Sequence, residues 1–213
     1  MGTARALMFD FNGTLSHDEP LLLAIYQRLF ARQGRPLTEE QYFGQLAGLS
    51  EEAIIGSWLG VTGAPLEALM AERIESYVAA ADGSTVTEAV RGAVRHAAER
   101  VPVAIVSGAY RAEIVPVVEA AGLATELTAI ITADDVAHGK PHPDGYLLAL
   151  ERLGVEASEA VALEDTEAGV ASAKAAGLHC VAVRGTLPDV RLQQADELVD
   201  GIDVALVRRL VGS

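Results

Sequence analysis

The chain has 213 residues, half of them hydrophobic, enough to bury a core without disulfide or metal staples. Its 16 lysines and arginines against 30 aspartates and glutamates leave a net charge of −14, which argues against nucleic acid or an anionic membrane as the main partner, because both need a basic patch. No run approaches the roughly 18 to 20 apolar residues of a membrane span, and the first ten residues lack a signal-peptide pattern, so a cytoplasmic protein is expected.

In chain order, residues 4–9 form the first short apolar run, and others follow at 101–106, 127–132, 160–163 and 180–183. Continuous apolar runs of this length fit strands buried on both faces of a parallel sheet, with helices as crossovers. The expected class is α/β, a Rossmann-like parallel sheet flanked by helices. Residues 16–83 break the alternation, since they carry helical periodicity alone and read as an inserted all-helical cap domain. Residues 1–15 and 84–213 then make up the core. The first inserted helix places Leu21, Leu22, Ile25 and Leu29 on one face and ends near Gly34. The second opens on the capping-box pattern Thr38-x-x-Gln41, and a third opens at Ser50, followed by Glu51 and Glu52. Gly83 and Ser84 mark the return to the core. A helix from Pro143 shows Tyr146, Leu147, Leu150 and Leu153 at helical spacing and stops at Gly154, and another runs from Thr166 to Gly177. The single cysteine, Cys180, falls within the last apolar run and reads as a small core hydrophobe, which leaves no disulfide framework or thiolate zinc site.

The polar groups that could carry chemistry all fall just past the ends of predicted strands, where ligands bind in open α/β sheets. They are Asp10-Phe11-Asn12-Gly13-Thr14, Ser107-Gly108-Ala109, Gly139-Lys140-Pro141-His142-Pro143 and Glu164-Asp165-Thr166. Only two lysines exist, Lys140 and Lys174, so a lysine beside a carboxylate cluster is informative. In this order the four segments resemble the motifs of the haloacid dehalogenase-like hydrolases. The Glu-Asp form of the last motif is similar to the β-phosphoglucomutase-like and phosphoglycolate-phosphatase-like branch with a helical cap.

The resemblance implies a set of roles. Asp10 would be the nucleophile that forms an aspartyl-phosphate, splitting one difficult displacement into two easier ones. Asp10, Glu164, Asp165 and the backbone carbonyl of Asn12 would hold Mg²⁺. Lys140, Ser107 and the backbone N–H groups of Gly108 and Ala109 would bind the phosphoryl oxygens. The Lys140-Pro141 bond is expected to be cis, aiming the lysine inward.

Asn12 departs from the family pattern, which has a general acid–base aspartate there; an amide cannot exchange protons at neutral pH, and losing such a group costs about 10²- to 10⁴-fold. Three readings follow: another base, a substitution made to trap an intermediate, or a protein that binds more than it turns over. The first is preferred. Glu51, His17 and Asp18 are the candidates for that base, with surface charge as the plainer reading of all three. Glu51 also stands where the mutase branch places a phosphate-binding arginine, which disfavours mutase activity. The absence of lysine from residues 16–83 excludes a Schiff base. Arg28, Arg32, Arg35 and Arg73 could contact anions but read mostly as solvated helix faces, and His142 reads as exposed.

The function expected is therefore a Mg²⁺-dependent phosphatase acting on a small phosphorylated metabolite of the sugar phosphate or phosphoglycolate type, as a monomer or homodimer. The alternatives are a 2-haloacid dehalogenase, disfavoured by the Glu164–Asp165 pair, and a weakly catalytic phospho-ligand-binding protein, supported by Asn12.

Overall fold

Six apolar or mixed segments pair side by side in the computed structural model, which describes residues 3–212. They are β1 Ala6–Phe9, β2 Val103–Val106, β3 Ala129–Ile131, β4 Ala160–Glu164, β5 His179–Val183 and β6 Glu197–Val199. All pairings are parallel and the order is β3-β2-β1-β4-β5-β6. The expected α/β class holds. Five strands lie where the apolar runs predicted them. The sixth was missed because its residues are mixed and only half-buried at the sheet edge.

The central strands β1 and β2 are wholly apolar because both of their faces are covered. Leu7 and Phe9 of β1 enter one core, while Ala6 and Met8, pointing the other way, enter a second. Cys180 lies in that second core, fully buried, as a structural hydrophobe.

Residues 16–83 contain helices and no strand: α1 Glu19–Arg32, α2 Glu39–Gln41 with its π-helical continuation Tyr42–Leu46, α3 Glu51–Leu59 and α4 Ala64–Ala80. The capping box of α2 forms as expected, with Gln41 N–H donating to Thr38 Oγ1 at 3.2 Å and Thr38 N–H to Gln41 Oε1 at 2.9 Å. Ser50 caps α3 by accepting from Ala53 N–H at 3.3 Å. Leu22, Ile25, Tyr26, Leu29 and Phe30 of α1 are buried in the same core that receives Leu7 and Phe9, while Leu21 is only partly covered.

The remaining helices are α5 Glu88–Ala98, α6 Arg111–Ala120, α7 Asp144–Leu153, α8 Glu167–Ala175 and α9 Val204–Val211. Helix α7 ends at Gly154 and α8 is capped by Thr166, both as expected. One residue of the α7 pattern is corrected. Leu147 is 49% exposed, because the buried face runs through Tyr146, Ala149 and Leu150 and turns Leu147 outward. Among the described residues, no helix is long and apolar enough to cross a membrane.

Candidate active site

In this strand order β1 sits between β2 and β4, so the chain leaves the sheet in different directions from adjacent strands and a crevice opens beyond their C-terminal ends. Asp10 follows β1, Ser107 follows β2, and Asp165 follows β4, while the loop after β3 brings in Lys140. All four motif segments therefore converge. Asp10, Asn12, Ser107, Gly108, Ala109, Lys140 and Asp165 line a cavity of about 410 Å³.

Lys140 ties the strand ends together. Its Nζ donates to Asp10 Oδ1 at 2.6 Å, to the Val106 carbonyl at 3.0 Å and to Glu164 Oε1, so all three ammonium hydrogens have partners. The Lys140-Pro141 bond is cis, as expected. Glu164 is fully buried behind the lysine, where Tyr146 Oη also donates to it at 2.7 Å. A Cβ on Gly169 would lie 1.9 Å from Glu164 Oε2, so only glycine lets α8 pass there. Gly13 serves Asp165 in the same way. Its φ is +76° and a Cβ there would meet Asp165 Oδ2 at 1.9 Å. Thr14 Oγ1, at 3.3 Å, and Thr186 Oγ1 both donate to Asp165.

Asp10, Glu164 and Asp165 present ligand oxygens that lie within 4.8 Å of one another. Three carboxylates against one lysine leave an excess of negative charge. Burial, reinforced by Glu164 and opposed by Lys140, pushes the Asp10 carboxyl up to about 7. Burial and the neighbouring acids push Asp165 well above the carboxylate range. Such a site favours either protons or a divalent cation, and hard oxygen donors of this kind fit Mg²⁺. Ser107 Oγ accepts from Ala109 N–H at 3.0 Å, which engages that backbone donor and leaves the serine hydroxyl hydrogen free to donate into the cavity.

This geometry accompanies a clear relationship. Residues 4–177 match the sequence model of the haloacid dehalogenase-like hydrolases. The chain belongs to that family. Validoxylamine A 7'-phosphate phosphatase of Streptomyces hygroscopicus subsp. limoneus is 32% identical over 198 residues, covering 92% of each chain. The phosphoglycolate phosphatase of Pectobacterium atrosepticum is 31% identical over 185 residues, covering 83% of this chain and 79% of that one. Among solved structures, CbbY from Rhodobacter sphaeroides in complex with phosphate superposes with a TM-score of 0.82 at 26% identity, over 93% of this chain and 95% of that one.

Around the motifs of this hydrolase lies a second set of polar residues that the sequence placed on the surface. Asp18 is fully buried: its Oδ2 accepts from Asn12 Nδ2 at 2.8 Å and from Tyr77 Oη. Arg73 is 2% exposed. Its guanidinium pairs with Glu51 at 2.6 Å and with Glu113 of α6. Surface charge is thus the wrong account of Asp18, Glu51 and Arg73, because each has its partner on a distant element that periodicity cannot reveal. His17 and His142 are exposed as expected, and so are Arg28, Arg32 and Arg35. Glu19, not singled out from the sequence, also lines the cavity, and Tyr42 Oη donates to it at 3.1 Å.

Proposed function

We propose that this hydrolase is a Mg²⁺-dependent phosphatase that releases phosphate from a small phosphorylated metabolite through a phospho-Asp10 intermediate. The observation that carries the proposal is the Lys140 bridge between Asp10 and Glu164, with Asp165 beside it, at the ends of adjacent strands. Its relatives support it, being phosphatases of phosphorylated small molecules.

Lys140 holds Asp10 Oδ1, which orients the carboxylate and leaves Oδ2 for attack on phosphorus. The lysine's charge and the Ser107 hydroxyl stabilise the negative charge that the phosphoryl oxygens gather in the transition state. Asp10, Asp165 and Glu164, with the Asn12 carbonyl, would hold Mg²⁺, which supplies the positive charge that lets an anionic carboxylate approach an anionic phosphate. Water then hydrolyses the aspartyl-phosphate. The leaving oxygen takes its proton from solvent and the attacking water returns one to it, while the Asn12 amide, anchored on Asp18, hydrogen-bonds the leaving or attacking oxygen without exchanging its own proton. Residues 16–83 act as the cap that closes over the phosphate and excludes water, while residues 1–15 and 84–213 form the catalytic core.

Hydrolysis of nitrophenyl phosphate with and without Mg²⁺ tests this reading. Phosphate release that requires the metal and falls by at least about 10⁴-fold in Asp10→Ala is expected for loss of a nucleophile. Release that survives Asp10→Ala would overturn it.

A further inference from the structure

Helices α1, α3 and α4 supply the part of the cavity wall formed by Tyr26, Glu51 and Arg73. Each of these side chains carries one buried polar atom without a partner: Tyr26 Oη, Glu51 Oε2 and Arg73 Nε. An unpaired buried polar atom destabilises the fold, and native proteins keep few of them. Three such atoms on one wall of one cavity do nothing to hold the helices together, since the packing of Ile25, Ile55 and Met70 already does that. They make chemical sense as contacts for a ligand. The set contains a hydroxyl, which donates and accepts, a carboxylate oxygen, which accepts, and a guanidinium N–H, which donates. Adjacent hydroxyl groups on a sugar or polyol both give and take hydrogen bonds, and match such a set.

The charge of the wall selects against anions. Lys140 and Arg73 are the only lysine or arginine among the described residues lining the cavity. Arg73 is already held between Glu51 and Glu113, and Glu19 and Glu52 line the same cavity. A carboxylate or second phosphate placed there would meet more acids than bases. We infer that the Tyr26–Glu51–Arg73 wall receives the hydroxyl groups on the uncharged part of a sugar or polyol monophosphate, and that it disfavours substrates carrying a second anionic group. This inference rests on the phosphatase reading for the phosphate end of the cavity, and it chooses among substrate classes that the reading leaves open.

The test compares kcat/KM for a hexitol phosphate, phosphoglycolate, a hexose bisphosphate and nitrophenyl phosphate, with Mg²⁺ present, in the wild type, Tyr26→Phe and Glu51→Gln. The wild type is expected to prefer the hexitol phosphate over both doubly anionic substrates by at least about tenfold. Tyr26→Phe should lower the ratio of hexitol phosphate to nitrophenyl phosphate by about tenfold, and Glu51→Gln, by releasing part of the Arg73 charge, should raise the ratio of phosphoglycolate to hexitol phosphate by a similar factor. A purely structural role would lower all four substrates in parallel and leave the ratios unmoved, and that result overturns the inference. So does a wild type that takes phosphoglycolate or the bisphosphate as well as the hexitol phosphate. Failure to hydrolyse nitrophenyl phosphate would instead reject the phosphatase reading. Calorimetric binding of the hexitol phosphate and phosphoglycolate to Asp10→Asn then reads the wall alone, with tighter binding of phosphoglycolate counting against it.

Discussion

Among the described residues one lysine and one arginine line the cavity, and each is gripped by two carboxylates: Lys140 by Asp10 and Glu164, Arg73 by Glu51 and Glu113. The first grip is built on strand ends, and every ammonium hydrogen is used. What that region lacks is positive charge, since Asp165 is a third acid against a single lysine. The second grip joins three helices, α3, α4 and α6, and what it lacks is hydrogen-bond partners. A site short of charge suits a metal and a phosphate, and a site short of hydrogen bonds suits a neutral polar ligand. On the proposed readings, the same motif of one cation between two acids does two jobs, set by what surrounds it.

Removing each cation in turn separates the two roles. Lys140→Met is expected to cut kcat by about 10³-fold under the proposed mechanism, in which the lysine orients the nucleophile and neutralises the transferring phosphoryl group. Arg73→Met should act mainly on folding. It leaves Glu51 and Glu113 buried and unpaired, a loss of about 3–5 kcal/mol for a broken buried pair, which for a chain of this size lowers Tm by about 10 °C. Steady-state kinetics and thermal melts on both variants check the assignment. If Lys140→Met chiefly unfolds the protein while Arg73→Met chiefly abolishes turnover, the two grips have been assigned the wrong way round.

Asn12 lies between the two regions, with its amide donating to Asp18 at 2.8 Å. Asn12→Asp would set two carboxyl groups at that distance in a buried place, where they must share a proton, and it would restore a group able to give and take one. Turnover of substrates with poor leaving groups is expected to rise by about tenfold to a hundredfold. Rapid-quench measurement of phosphoenzyme breakdown shows which step gains. Equal or lower turnover in Asn12→Asp would mean that the amide does not limit the reaction.

The strand-end grip was legible in the sequence and the helical one was not, and the reason is local chemistry. Asp10, Ser107 and Asp165 come at the ends of short apolar runs that read as buried strands, Lys140 lies on the loop after another such run, and glycine or proline beside Ser107 and Lys140 announces the turn there. Order along the chain is then enough to bring them together. Arg73 and Glu113 are 40 residues apart on helices whose mutual packing no periodicity reports. Gly169 falls inside the helix running from Thr166 to Gly177 with no local signal to mark it, and its purpose appears only when Glu164 is seen against it. Asp18 was misplaced because a charged residue at the start of a helix is usually a solvated cap, whereas here Tyr77, 59 positions away, reaches over to cover it. The mixed strand β6 lacked the apolar signal that exposed the other five.

The smallest expected effect concerns Glu19, which lies near the helical grip. Burial, with Asp18 adding to it and Tyr42 and Arg73 opposing, pushes its carboxyl from the usual 4.5 up to about 7. The folded chain therefore holds this proton over a range where the unfolded chain has released it. Stability from this group is present below about pH 4.5 and is lost as pH rises towards 7, the reverse of a salt-bridged carboxylate. Glu19→Gln keeps an acceptor for Tyr42 and removes the charge. It should gain on the order of 1 kcal/mol over the wild type at pH 8, about 2–4 °C in Tm, and gain almost nothing at pH 5. Melts across that range in metal-free buffer measure the difference. A constant offset at both pH values would show that Glu19 stays charged in the fold, and that the helical wall is wetter than its burial implies.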